Sequence, residues 1–161
     1  MIRDARESDL EAIVDIYNAS IPARLATADT EPAPVDARRA WFNERDVARH
    51  PVWVYEDQGA VAGWLSFGKF YGRPAYAATA EVSIYVEPHA QRRGIASALM
   101  DRALQRAPGL GLSTFLGFVF AHNEQSVALC QRYGFAQWGR LPRVAVLDGV
   151  ERDLLILGRR V

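Results

Sequence analysis

Three observations predict an α/β domain for this chain. Strand-like runs of β-branched and aromatic residues alternate along it with segments whose apolar residues recur at helical spacing. One such run, Glu81 to Val86, passes through Gln91-Arg92-Arg93-Gly94-Ile95-Ala96 into a helical pattern from Ser97 to about Arg106. At 161 residues the chain has the usual size of a single domain, and such a domain buries about 68–70% of its unfolded surface without a covalent staple.

Each element has its own warrant. Ile2 to Ala5 reads as a short strand, and Ser8-Asp9-Leu10-Glu11 as a capping box opening a helix. Leu10, Ile13, Val14 and Tyr17 then give that helix one apolar face. Residues 21–34, rich in Ala, Thr and Pro, form a loop longer than is common, which favours a substrate-lining or lid role. A second helix is expected from about Asp36 to Ala48, with Trp41 and Phe42 inward. Val52 to Tyr55 and Ala60 to Phe67 form a hairpin across Glu56-Asp57-Gln58-Gly59. A loop holding Tyr71-Gly72-Arg73-Pro74 leads to a strand from about Thr79 to Val86, and the helix after the glycine loop stops at Pro108-Gly109. Thr114 to Ala121 is a further strand and Glu124 to Arg132 a further helix. Arg143 to Val146 with Leu154 to Leu157 closes the sheet.

Composition excludes several classes of function. Basic and acidic residues balance at 19 each, so no net field draws the chain to nucleic acid or an anionic membrane. The arginines occur as pairs, not runs, and the single lysine is Lys69. One cysteine forbids an internal disulfide. The charged start Met-Ile-Arg-Asp-Ala-Arg-Glu is unlike a signal peptide, and no apolar run is long enough to span a membrane. The cytoplasm is the expected compartment. No His, Cys or carboxylate cluster has metal-ligand spacing, and His50 and His89 read as surface or loop residues.

The glycine loop carries the first chemical reading. Gly94 at a strand-to-helix turn lets the backbone come close to a ligand. The open N–H groups and positive dipole end of the following helix suit a pyrophosphate. A turn of this kind also takes glycine for structural reasons alone. The loop is neither a Walker loop nor a three-glycine dinucleotide fingerprint.

The pattern Gln91-x-x-Gly94-x-Ala96 resembles the acyl-CoA loop of the GCN5-related N-acetyltransferases (GNAT). Thr79-Ala80-Glu81-Val82-Ser83-Ile84-Tyr85-Val86 resembles the T-V-E-x-S-V-Y-V segment of the phosphinothricin and methionine-sulfone acetyltransferases in that superfamily. Asn123-Glu124-Gln125-Ser126 resembles their N-x-x-S, and Leu129 to Phe135 the helix end that finishes in L-G-F. Ile16-Tyr17-Asn18 and Arg39-Ala40-Trp41-Phe42 have counterparts near the start, so the resemblance covers nearly the whole chain.

This resemblance implies a GNAT fold over residues 1–161 as a single domain. Its central sheet would be mixed, mostly antiparallel and flanked by helices, with acetyl-CoA in the splay between two parallel strands, those of Glu81 and Thr114. Acetyl-CoA would be a co-substrate, no metal would take part, and the enzyme would be a homodimer. The implied acceptor is a small amino acid or analogue such as methionine sulfone, methionine sulfoximine or phosphinothricin, acetylated directly in a ternary complex. Val86, Glu87, Gln91, Arg92, Arg93, Gly94, Ile95, Ala96 and Ser97 would hold the acetyl-CoA, together with Asn123 and Ser126. Backbone N–H near Val86 would polarise the thioester carbonyl.

Glu81 is the expected base. An ammonium has no lone pair with which to attack a thioester, and a carboxylate beside it removes the proton directly or through one water. Glu81 stands among Ala80, Val82 and Ile84, an apolar setting for a glutamate; the plain alternative is an outward-facing side chain. Arg73 and Tyr76 stand before that strand in an R-x-A-Y spacing that resembles the phosphinothricin acetyltransferases. This resemblance implies that they bind the acceptor's anionic group, a guanidinium fork matching a carboxylate or phosphinate. A solvated loop arginine is the plain alternative. Ser83 and Tyr85 complete the acceptor site. Asn123 and Ser126 also fit an N-cap and a first-turn hydroxyl.

Cys130 departs from the pattern, since relatives carry Tyr or His there, where a side chain can protonate the departing thiolate. It is a catalytic candidate and equally a buried, inert cysteine. Tyr85, Tyr133 and His122 stay open as the acid. Other readings are acetylation of a protein N-terminus, polyamine or aminoglycoside, and a non-catalytic acyl-CoA sensor. A sensor would keep Gly94 and Asn123 but have little use for Glu81.

Overall fold

The computed structural model describes residues 1–161. In chain order the elements are β1 (Ile2–Asp4), α1 (Leu10–Ser20), α2 (Val35–Glu44), β2 (Val52–Asp57), β3 (Ala60–Lys69), β4 (Thr79–Val86), α3 (Ile95–Arg106), β5 (Thr114–Phe120), α4 (Glu124–Arg132), β6 (Ala136–Leu147) and β7 (Val150–Arg160). The strands form one seven-stranded sheet in the order β1-β2-β3-β4-β5-β7-β6. Every neighbouring pair is antiparallel except β4 and β5. That pair is in register only over Thr79–Glu81 against Thr114–Leu116, after which the two strands part.

A core lies on each face of the sheet. On one face α3 contributes Ile95, Leu99, Met100 and Ala103, a helical repeat, to a cluster with Leu65, Phe67 and Phe115. Phe115 is fully buried, an amount of apolar burial worth about 1.5–3 kcal/mol. On the other face α1 buries Leu10, Ile13, Val14, Ile16 and Tyr17 against Val52, Val54 and Trp64. The Trp64 indole N–H donates to the Ile13 carbonyl at 3.0 Å, fixing α1 to β3.

The hairpin turn at Gln58-Gly59 has positive φ at both residues, 49° and 83°, as a two-residue hairpin requires. The capping box expected at Ser8 and Glu11 does not form. Instead Asp9 accepts the Arg6 backbone N–H at 2.7 Å, and its two carboxylate oxygens accept the Arg3 fork at 2.7 and 2.9 Å. Arg3 thereby holds the Asp9 carboxyl below its ordinary range.

Helix α2 ends at Glu44, not Ala48. Arg45 turns extended, and the Asp46 carboxylate accepts the Ala48 N–H at 3.0 Å, a local bond that competes with the helix. The closing strands are much longer than expected. Pro142, which lacks an N–H, lies within a register shift between Leu141 and Ala145, and the Arg143 N–H turns to Asp153 at 2.8 Å.

Candidate active site

Alternation along β4 puts Glu81, Ser83 and Tyr85 on one face and Val82, Ile84 and Val86 on the other. Across the ladder the first three stand opposite Gly68, Ser66 and Trp64. Tyr85 stacks on Trp64, ring centres 4.7 Å apart, and meets Tyr17 edge-on at 5.1 Å. The second three pack into the α3 core.

Where β4 and β5 part, a cavity of about 950 Å³ opens through the sheet. Its wall includes Glu81, Ser83, Tyr85 and Val86 of β4, Gly117 to Phe120 of β5, Gln91, Arg92 and Gly94 to Ser97 of the glycine loop and α3, and Asn123, Ser126 and Cys130. Most residues singled out in the sequence thus meet in one place. Neither edge of the parted strands has a ladder partner there, so backbone donors and acceptors face the opening.

Gly94 caps α3 with φ 79°, a conformation that costs an L-residue strain, and Arg92 before it has φ 61°. A Cβ at Gly94 would meet nothing within 4 Å. The glycine is therefore required by its backbone, and the space beside it is open to a ligand. The first N–H groups of α3 point from this cap, and Ala98 is the residue whose N–H closes the first turn on the Gly94 carbonyl at 2.9 Å.

Glu81 is half-buried in the wall, and desolvation raises its carboxyl above the ordinary range. No side-chain hydrogen bond or ion pair ties it down, which leaves the carboxylate free to take a proton. Burial pushes the Cys130 thiol up to about 11, so it stays protonated near neutrality. Tyr85 is raised further by the same cause. The Tyr133 hydroxyl donates to the Ser97 carbonyl at 3.0 Å, bracing α4 against the start of α3.

Asn123 is a true N-cap: its Oδ1 accepts the Ser126 N–H at 3.3 Å. Its Nδ2 donates to the Leu25 carbonyl at 3.1 Å, and the adjacent His122 Nε2 lies 2.8 Å from the Arg24 carbonyl. The 21–34 loop is also held by the Tyr17 hydroxyl, 2.7 Å from Thr27 Oγ1 and hydrogen-bonded to Asp29. With Ala23 and Leu25 to Ala28 in the wall, the loop lines the cavity, and the Tyr17 that holds it also packs on Tyr85.

Four expected contacts are absent from that wall. Arg93 turns away and pairs with Asp57 of the hairpin at 2.8 Å, because a carboxylate lies within reach on that side. Glu87 starts a short 3₁₀ turn, and its N–H donates to the Ala62 carbonyl at 2.9 Å. Arg73 and Tyr76 are exposed on the β3–β4 loop, where Phe70, Tyr71 and Tyr76 pack on one another. Arg132, Val144, Ala145 and Leu154 line the cavity without having been singled out. Only Arg132 had a signal, its charge at the end of a helix that opens on Asn123. No three His, Cys, Asp or Glu side chains gather as metal ligands.

The model of the family described as Acetyltransferase (GNAT) family matches residues 10–135. YwnH of Bacillus subtilis (strain 168) is 47% identical over 161 residues, covering 99% of this chain and 98% of its own. The L-amino acid N-acyltransferase MnaT of Escherichia coli (strain K12) is 33% identical, covering 97% of this chain and 91% of its own. The crystal structure of a GNAT superfamily phosphinothricin acetyltransferase (Pat) from Sinorhizobium meliloti in complex with AcCoA superposes with a TM-score of 0.94 at 28% identity, covering 100% of this chain and 88% of that one.

Proposed function

This chain belongs to the acetyltransferase (GNAT) family, and from that premise we propose that it transfers the acetyl group of acetyl-CoA to the amino group of a small amino acid or amino-acid analogue. The observation that carries the reading is Glu81, an unpaired carboxylate in the wall of a cavity whose other end is the Gly94 cradle. The relatives named for amino-acid and phosphinothricin acetylation support the acceptor class.

Residues Gly94 to Ser97 hold the pyrophosphate of the donor at the α3 N-terminus. The parted edges of β4 and β5 supply backbone partners to its arm, and an N–H near Val86 polarises the thioester carbonyl. The acceptor enters on the Glu81 side. Glu81 takes one proton from its ammonium, and the freed nitrogen lone pair attacks the carbonyl carbon. The C–S bond then breaks as the second nitrogen proton passes to the departing sulfur, giving the amide and the CoA thiol, and Glu81 releases its proton to solvent. Both substrates are present together, so no acetyl-enzyme forms.

The proposal includes a cytoplasmic homodimer of single-domain chains. Val144, Val146 and Val150, exposed on β6 and β7, give a second copy an apolar surface to cover. A thiol-release assay with acetyl-CoA against amino acids, sulfones, polyamines and peptides tests the function. Turnover with amino acids and none with peptides or polyamines is the expected result; donor binding without turnover on any amine would favour a sensor.

A further inference from the structure

We infer that Tyr17, a buried residue outside the cavity, is a positioning residue for the acceptor, because its hydroxyl ties the 27–29 segment to a ring packed on the β4 wall. This rests on the amino-acid reading above. Thr27 and Tyr85 line the cavity from two different elements, and Tyr17 touches both. Tyr17 itself is 6% exposed and belongs to the α1 core.

The bonds at its hydroxyl close on themselves. A phenol has one proton to give, and that of Tyr17 goes to the Asp29 carboxylate. The Thr27 hydroxyl, 2.7 Å away, is then the donor to the Tyr17 oxygen. The Asp29 N–H in turn donates to Thr27 Oγ1 at 3.1 Å. Three bonds therefore run in one direction around a cycle, each polarising the next. Burial raises the Tyr17 hydroxyl above its ordinary range, so it keeps its proton while an amine is acetylated. From α2 the Arg38 guanidinium lies 4.0 Å from the centre of the Tyr17 ring and 3.6 Å from the Asp29 carboxylate, which braces the same corner.

The ring of Tyr17 serves the strand. It meets Tyr85 at 5.1 Å while Tyr85 stacks on Trp64 at 4.7 Å, so two aromatic partners hold the Tyr85 ring. Tyr85 shares its face of β4 with Glu81. One side chain thus fixes a loop wall by its hydroxyl and a strand wall by its ring, and the hydroxyl can be removed alone. None of these contacts involves the glycine loop, so donor binding is spared when the cycle is opened.

The test is thiol release by the full chain at varied methionine sulfone, with acetyl-CoA affinity by calorimetry and amide exchange of residues 27–29. Tyr17→Phe keeps the ring and opens the cycle. It should raise the acceptor KM by about threefold to tenfold, leave kcat and acetyl-CoA affinity within about twofold, and speed exchange at Asp29. Asp29→Ala should do the same, and the double variant should be no worse than either single one, because all three break one cycle. An unchanged acceptor KM in Tyr17→Phe, or additive effects in the double variant, would overturn the inference and leave the acetyltransferase reading intact. Acetyl-CoA affinity falling as far as the acceptor's would make Tyr17 a residue of the core alone, which also overturns it. A wild type that binds acetyl-CoA and acetylates no amino acid would instead overturn the amino-acid reading.

Discussion

Gly68 stands directly across the β3–β4 ladder from Glu81, and a Cβ built on it would lie 3.7 Å from the glutamate's own Cβ and 3.8 Å from its Oε2. The missing side chain leaves that flank of the carboxylate uncovered, while the rest of its surroundings hold it half-buried. The carboxylate is thus both desolvated and approachable.

Glu81→Gln keeps the shape and removes the basicity. It should retain acetyl-CoA affinity and lower kcat near neutral pH by about 10²–10⁴-fold. Burial raises the Glu81 carboxyl, so wild-type kcat/KM should fall as pH drops through a value above the ordinary glutamate range. The deficit of the variant should shrink at high pH, where free amine is abundant. A pH–rate series on both proteins checks this, and equal activity at every pH would remove the base role.

Gly94→Val places a β-branched residue at φ 79°, a backbone region that costs it about 1–3 kcal/mol. Acetyl-CoA binding should weaken by about tenfold or more. Calorimetry on the folded variant measures it, and unchanged affinity would show that the loop is not the cradle.

Cys130→Ala should keep most turnover. A thiol pushed up to about 11 would give its proton to a thiolate of ordinary pKa, about 8.5, at a cost of roughly 3 kcal/mol. Complete loss of kcat in a variant with normal circular dichroism would make the thiol a required acid.

Arg73→Ala should raise KM for an amino acid and leave acetyl-CoA affinity unchanged, the signature of lost ground-state binding. Arg73 makes no ion pair within the chain and sits on the loop leading into the Glu81 strand, so it is available to the acceptor's α-carboxylate. Equal KM values in variant and wild type would take the loop out of the acceptor site.

Gly158→Ala should destabilise the fold by about 1–3 kcal/mol. Trp138 lies in a register shift of β6 and covers this glycine so closely that a Cβ would fall 2.0 Å from its ring. Urea unfolding with Trp fluorescence reads both the stability and the displaced indole.

The central elements were legible in the sequence. The Thr79–Val86 strand and the Glu124–Arg132 helix have the expected limits because alternation, a cap residue and a terminal glycine mark them locally. β6 reads as a shorter strand in the sequence because most of its residues are exposed, leaving no buried alternation, and Pro142 interrupts it. The pairing of Arg93 with Asp57, 36 residues away, is one that only the fold creates. The alanines of the 23–28 segment carry no chemical signal at all, and only the fold brings them to the cavity wall.

The short parallel match between Thr79–Glu81 and Thr114–Leu116 has a mechanical meaning. Strands β1 to β4 and strands β5 to β7 are two half-sheets stitched along a seam of three rungs, and the rest of the seam is open. A pantetheine arm lying there would serve both edges as the missing strand. Acetyl-CoA would then stiffen the molecule across its middle as well as react. Amides of Val82–Val86 and Gly117–Phe120 that face the gap should exchange with solvent in the free protein and slow together when the donor binds.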